Sequence, residues 1–129
     1  EIKNVSVDQI EKNGNDFTLL LSDGEKISAE AVLLGMGTKH RHLGVQGEND
    51  FEGKGVSYCA TCDGFFYKGK TVAVVGGSDS AASAAVYLAE IAEKVYVIYR
   101  NDKLRAESFW VKSIEENSKI EVIYYTNVK

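Results

Sequence analysis

The run Thr71-Val72-Ala73-Val74-Val75 stops at Gly76-Gly77-Ser78-Asp79-Ser80-Ala81 and gives way to an alanine-rich stretch reaching Ala92. This succession constrains the fold more than any other feature. The β-branched run predicts a strand. Ala81, Ala85, Leu88 and Ala92 then recur at helical spacing and predict a helix over residues 79–92 whose small face lies close to a sheet. Val95-Tyr96-Val97-Ile98 reads as a second strand. Residues 106–116 read as a second helix, with Phe109, Trp110, Val111 and Ile114 apolar, and residues 120–125 as a third strand. A β-α-β-α-β order predicts a parallel sheet with right-handed crossovers.

The glycine turn carries chemistry as well as shape. It follows a strand and opens a helix, the flanks that a dinucleotide-binding turn requires. Gly76 permits the tight turn and Ala81 permits close helix–strand packing. Gly77, Ser78, Asp79 and Ser80 bring the helix N-terminus up to a pyrophosphate. Ser78 stands where a second glycine would let backbone approach phosphate, but it is small and its hydroxyl can donate. At the end of the second strand come Tyr99, Arg100 and Asn101, with Arg105 just beyond. An NAD site places an acid there, whereas a guanidinium suits a 2′-phosphate. NADPH is therefore expected over NADH, with Tyr99 stacking on the adenine. The alternative is that Arg100 and Arg105 are solvated surface charges.

Upstream lie the only two cysteines, Cys59 and Cys62, followed by Asp63. Two thiols at this spacing can close a small disulfide. At a helix start, peptide N–H groups and the helix dipole favour a thiolate, the form that attacks another disulfide. A carboxyl group at Asp63 could pass a proton to a leaving thiolate. Two other readings stand beside this one. Cys-x-x-Cys is half a zinc site that His40 and His42 could complete, and the pair could be inert and structural.

The N-terminal region has a different rhythm. Residues 5–10, 17–21 and 25–29 read as strands, joined by turn chemistry at Asn13-Gly14-Asn15 and Ser22-Asp23-Gly24. Ala31-Val32-Leu33-Leu34 is continuous and apolar, the pattern of a strand buried on both faces. A β-meander this small has little core of its own and is expected to belong to a larger sheet. Residues 39–55, polar and rich in glycine, read as a linker between domains, with a long surface loop as the alternative.

Composition narrows the classes. A net charge of -4 over 129 residues argues against a general nucleic-acid binder. No apolar run approaches the roughly 20 residues that a membrane span needs. Two cysteines without an export signal fit a reducing compartment. The chain begins at Glu1, and its one methionine is Met36, so a piece of a longer protein is expected.

Taken together, Gly55-Val56-Ser57-Tyr58-Cys59-Ala60-Thr61-Cys62-Asp63-Gly64-Phe65-Phe66, then Val74-Val75-Gly76-Gly77, then Arg100 and Arg105 resemble the low-molecular-weight thioredoxin reductases. The resemblance spans nearly the whole chain. It implies an α/β fold: a Rossmann-like parallel sheet over residues 42–129, the NADPH domain without its last part. Residues 1–41 would be a β-meander fragment of the FAD domain that precedes it. It implies that Cys59 attacks the thioredoxin disulfide, that Cys62 exchanges electrons with FAD, and that Asp63 donates a proton. Gly37 and Thr38 match a stretch near FAD. A cytoplasmic homodimer acting on thioredoxin or a similar protein, with FAD and NADPH as cofactors, is the implied whole. Departures are Tyr99-Arg100-Asn101 in place of His-Arg-Arg, Ser78 in place of glycine, and Ser83 and Ala84 in place of glutamates. The competing class is an NADP-binding module whose cysteines bind zinc or sense redox state.

Overall fold

The computed structural model describes residues Glu1–Lys129 and divides into two units, Glu1–Lys39 and His40–Lys129. In the first unit, β1 (Val7–Asn13), β2 (Asp16–Leu21) and β3 (Lys26–Ala29) form an antiparallel sheet in the order β1-β2-β3. Asn13 pairs with Asp16, so the hairpin loop is two residues long, and Gly14 takes the positive φ of 65° that such a loop requires. Asp23 Oδ1 accepts from Glu25 N at 3.0 Å and shapes the second turn. Leu21 is buried, residues 17–20 are half-buried, and β1 is exposed along its length. The core of this unit is thin.

The buried strand expected at Ala31-Val32-Leu33-Leu34 is absent. Those residues form no strand, and Leu33 is 96% exposed. A strand covered on both faces needs paired neighbours. In this unit the sheet ends at β3, which pairs with β2 on one side and with nothing on the other.

The second unit is built on β4 (Thr71–Val75), β5 (Lys94–Ile98) and β6 (Ile120–Ile123), parallel and adjacent in chain order. Val72 pairs with Val95, which pairs with Ile120. Two helices, α2 (Asp79–Ile91) and α3 (Ser108–Glu115), connect them. Ala82, Ala85, Leu88, Ala89 and Ala92 pack with Val95, Val97, Ile114 and Ile120 in one cluster. The alanines bring the α2 backbone close to the sheet, as their spacing predicts. Full burial of an aliphatic side chain is worth about 1.5–3 kcal/mol, so this cluster dominates the unit's stability. The opposite side of β4 stays open, with Thr71, Ala73 and Val75 exposed. The third strand ends at Ile123, two residues earlier than expected, because Tyr125 turns to φ 53°.

Ahead of β4 lies α1 (Ala60–Asp63), continued by a one-turn 3-10 helix, Gly64–Tyr67. Gly64 is buried, and a Cβ there would sit 3.1 Å from Leu88 Cδ2 and from Tyr87 Cε1. Glycine at this point lets the cysteine-bearing segment dock on α2. The linker expected over residues 39–55 is a folded loop for most of its length. Phe51 N donates to Gly47 O at 3.0 Å, Glu52 bridges to Val56, and the Glu48 side chain is buried.

Candidate functional site

Cys59 and Cys62 form a disulfide, with Cα atoms 5.2 Å apart. Cys59 caps the N-terminus of α1 in an extended conformation, and its Sγ accepts from Cys62 N at 3.2 Å. That N–H would stabilise charge on the sulfur once the bond opens. Cys59 is half-buried and Cys62 is exposed. Ser57, which the sequence reading passed over, ties the parts together. Its Oγ accepts from Cys59 N at 3.1 Å and donates to Asp63 Oδ2 at 2.6 Å. The cue was its position two residues before the first cysteine. The two sulfurs are thus bonded to each other, and no group of three or more His, Cys, Asp or Glu side chains converges to hold a metal. An open cavity of about 320 Å³ borders the disulfide, lined among others by His40, Glu52, Tyr58, Cys59 and Asp63. Phe65 and Phe66, just beyond it, are each 72% exposed.

Hydrogen-bonded to Tyr58, the residue before Cys59, is Glu48, the one buried charged side chain. Its carboxylate accepts from Leu43 N and Gly44 N, each at 2.7 Å, and from the Tyr58 hydroxyl at 2.6 Å. The Tyr58 hydrogen bond, then the Leu43 peptide N–H, pull the carboxyl down to about 2. The same bond, with burial behind it, pushes the Tyr58 phenol up to about 12. Nothing in the sequence marked Glu48. An acid in a polar, glycine-rich run reads as solvated.

The glycine turn is formed as its spacing predicts. Gly76 has φ 140°, and a Cβ there would lie 3.0 Å from that of Ala81. Ser78 occupies the N-cap of α2 but makes no side-chain capping bond, which leaves its hydroxyl uncommitted. Ser78, Asp79 and Ser80 are exposed at the helix mouth. The loop after β5 is fastened to this turn twice. Arg105 N donates to Gly77 O at 2.6 Å, and Glu107 N donates to Asp79 Oδ1 at 2.7 Å. An open cavity of about 540 Å³ is lined by Arg100, Asn101, Asp102, Lys103, Arg105 and Tyr125, among others.

Tyr99 departs from its expected role. It is 5% exposed, its ring fills the space over Gly77, and its hydroxyl accepts from Asn101 Nδ2 at 3.0 Å. A ring buried under the turn has no free face for an adenine. Tyr125, 77% exposed on the rim of the basic cavity, has one. The sequence pattern predicts Tyr125 inside the third strand, whereas that strand ends at Ile123. Gly37 and Thr38 lie exposed in the first unit, outside any strand.

The fit to a dinucleotide can be judged from these residues. Ser78, Asp79 and Ser80 stand exposed at the helix N-terminus that follows the turn, and two guanidinium side chains line the neighbouring cavity. Both suit a phosphorylated dinucleotide.

Known proteins agree with this arrangement. The chain is 44% identical over 118 residues to a thioredoxin reductase of Helicobacter pylori, covering 92% of this chain and 38% of that protein. Among solved structures, the thioredoxin reductase of Giardia duodenalis matches with a TM-score of 0.73 at 39% identity, covering 93% of this chain and 39% of the other. That of Lactococcus lactis matches with a TM-score of 0.70 at 33% identity, covering 94% and 40%. The chain therefore spans about two-fifths of the length of these relatives. No helix is long and apolar enough to cross a membrane. The sequence profile of the pyridine nucleotide-disulphide oxidoreductases matches residues 2–129, and the chain belongs to that family.

Proposed function

We propose that the intact protein is a thioredoxin-disulfide reductase. It would carry two electrons from NADPH, through FAD and the Cys59–Cys62 pair, to the disulfide of thioredoxin or a similar protein. The observation that carries this reading is a disulfide at a helix N-cap, seated through Gly64 on α2, the helix whose N-terminus forms the dinucleotide turn. A bound flavin would supply the two-electron relay that a nicotinamide and a disulfide need between them.

The residues present divide the remaining work. Gly76, Gly77, Ser78, Asp79, Ser80 and Ala81 form the phosphate turn. Arg100 and Arg105 would hold a 2′-phosphate, with Asn101 beside them and Tyr125 in place of Tyr99 as the stacking ring. In the dithiol state, the Cys59 thiolate attacks one sulfur of the partner disulfide and expels the other as a thiolate. Cys62 then attacks Cys59 Sγ, which releases the second partner sulfur and restores the Cys59–Cys62 bond. Asp63, held by Ser57, supplies a proton to a departing thiolate. The exposed Phe65 and Phe66 flank the disulfide with apolar surface suited to a protein partner.

The same resemblance supports reading residues 1–41 as a fragment of the FAD domain, with Gly37 and Thr38 near the flavin, and 42–129 as most of the NADPH domain. A homodimer working in the cytoplasm belongs to that reading too. The test is NADPH oxidation coupled to thioredoxin reduction by the intact, flavin-loaded protein. Cys59→Ser and Cys62→Ser should each abolish turnover, and turnover surviving either change overturns the assignment.

A further inference from the structure

We propose that Glu48 is a positioning residue for the dithiol, acting through Tyr58 on Cys59. A buried carboxylate with no Lys or Arg partner is costly unless hydrogen bonds replace its water. Glu48 accepts three, two from the loop at Leu43 and Gly44 and one from Tyr58. Only the third reaches another part of the chain, and it ends on the residue that adjoins Cys59.

Hydrogen-bond direction is fixed by chemistry. A carboxylate only accepts, so the single Tyr58 hydroxyl hydrogen goes to Glu48. His42 Nδ1, 2.9 Å from the same hydroxyl oxygen, must then donate to it. The chain of donors runs from His42 to Tyr58 to Glu48. The Tyr58 ring is held as well. It stacks on His40, with centroids 3.9 Å apart and planes at 11°, and meets His42 edge-on at 5.1 Å. Tyr58 is therefore fixed at its hydroxyl and on both flanks of its ring.

On its backbone side, the neighbours of Tyr58 belong to a second network. Ser57 Oγ accepts from Cys59 N and donates to Asp63, and Cys59 Sγ accepts from Cys62 N. Two hydrogen-bonded assemblies meet at one residue. Freeing the Tyr58 side chain lets the peptide leading into Cys59 rotate, and the Cys59 sulfur loses its alignment with the Cys62 N–H. The His40–Tyr58 stack also forms a wall of the cavity bordering the disulfide. The role rests on the reading of Cys59 as the attacking thiol, but its test does not require turnover.

In the full chain, reduced with excess dithiol and freed of it, the alkylation rate of Cys59 by iodoacetamide at pH 7 is followed by mass spectrometry. Glu48→Gln and Tyr58→Phe are compared with the parent. Both variants should slow Cys59 by about three- to tenfold, the range set by one hydrogen bond. The equilibrium of the disulfide with a glutathione buffer should shift towards the oxidised form by a similar factor. Tyr58→Phe keeps the ring stack and the two backbone bonds of Glu48, so it decides the matter if Glu48→Gln melts early. Alkylation rates and glutathione equilibria within twofold of the parent in Tyr58→Phe overturn the proposal. NADPH-driven flavin reduction, measured on the intact parent, reports separately on the reductase reading. Its absence would sink that reading and leave the thiol result standing.

Discussion

The ring of Tyr99 occupies the space that a side chain at Gly77 would need. The glycine is thus required by the protein's own core as well as by any phosphate. Gly77→Ala should cost about 1–3 kcal/mol, the usual penalty for overpacking. Tyr99→Leu in the same chain should recover part of that loss. Urea unfolding of the two single variants and the double variant gives the coupling. Strict additivity would show that the two residues do not compete for one volume.

Acid should loosen the loop around Glu48 before it unfolds the sheet. The carboxyl titrates near 2 in the folded chain, against an ordinary value of 4.5. Its folded value is depressed, so its contribution is complete above pH 4.5 and is lost as pH falls through about 2. For Tyr58 the sign reverses. Its contribution is complete below pH 10 and is lost as pH rises through about 12. Stability measured against pH should therefore show the parent's advantage over Glu48→Gln shrinking between pH 4.5 and 2. A constant advantage across that window would contradict the assignment.

Ile114, 2% exposed, anchors α3 in the core, whereas Phe109 on the same helix is 69% exposed. Ile114→Ala should lower unfolding free energy by about 2–5 kcal/mol. Phe109→Ala should stay within about 0.5 kcal/mol of the parent. Denaturant midpoints decide it, and equal losses would mean that α3 packs by another face.

Arg100 and Arg105 line the basic cavity with Tyr125 on its rim. If they hold a 2′-phosphate, Arg100→Ala and Arg105→Ala should each weaken NADPH binding by about tenfold or more, the worth of one charged hydrogen bond. NADH binding should change little. The backbone N–H of Arg105 survives its substitution, so the turn remains tied. Titration calorimetry with both nucleotides makes the comparison, and equal losses for the two would remove the guanidinium groups from the phosphate.

The parts of this fold that sequence made legible are those whose signals are local. The Val-rich β4, the alanine face of α2 and the glycines between them each specify their own geometry, and the parallel order follows from chain connectivity. The dithiol was legible because two cysteines three positions apart leave few alternatives. Other features depend on what lies across from a residue. Ala31-Val32-Leu33-Leu34 has the composition of a buried strand but no neighbour on the far side of β3. Tyr99 and Tyr125 each lie just past the end of a neighbouring parallel strand and look alike in composition, yet one fills the turn and the other faces outward. The burial of Glu48 depends on two peptide N–H groups and a hydroxyl ten residues away, none of which carries a composition signal.

Because the peptide N–H of Arg105 is bonded to the carbonyl of Gly77 at 2.6 Å, the basic loop and the glycine corner behave as a single jaw. A change in the loop's length or course would drag the corner with it. On the proposed reading of this site, preference between the two nicotinamide dinucleotides is then open to adjustment by exchanging side chains on a fixed backbone. Remodelling that backbone would alter, on the same reading, the hold on a diphosphate at the same stroke.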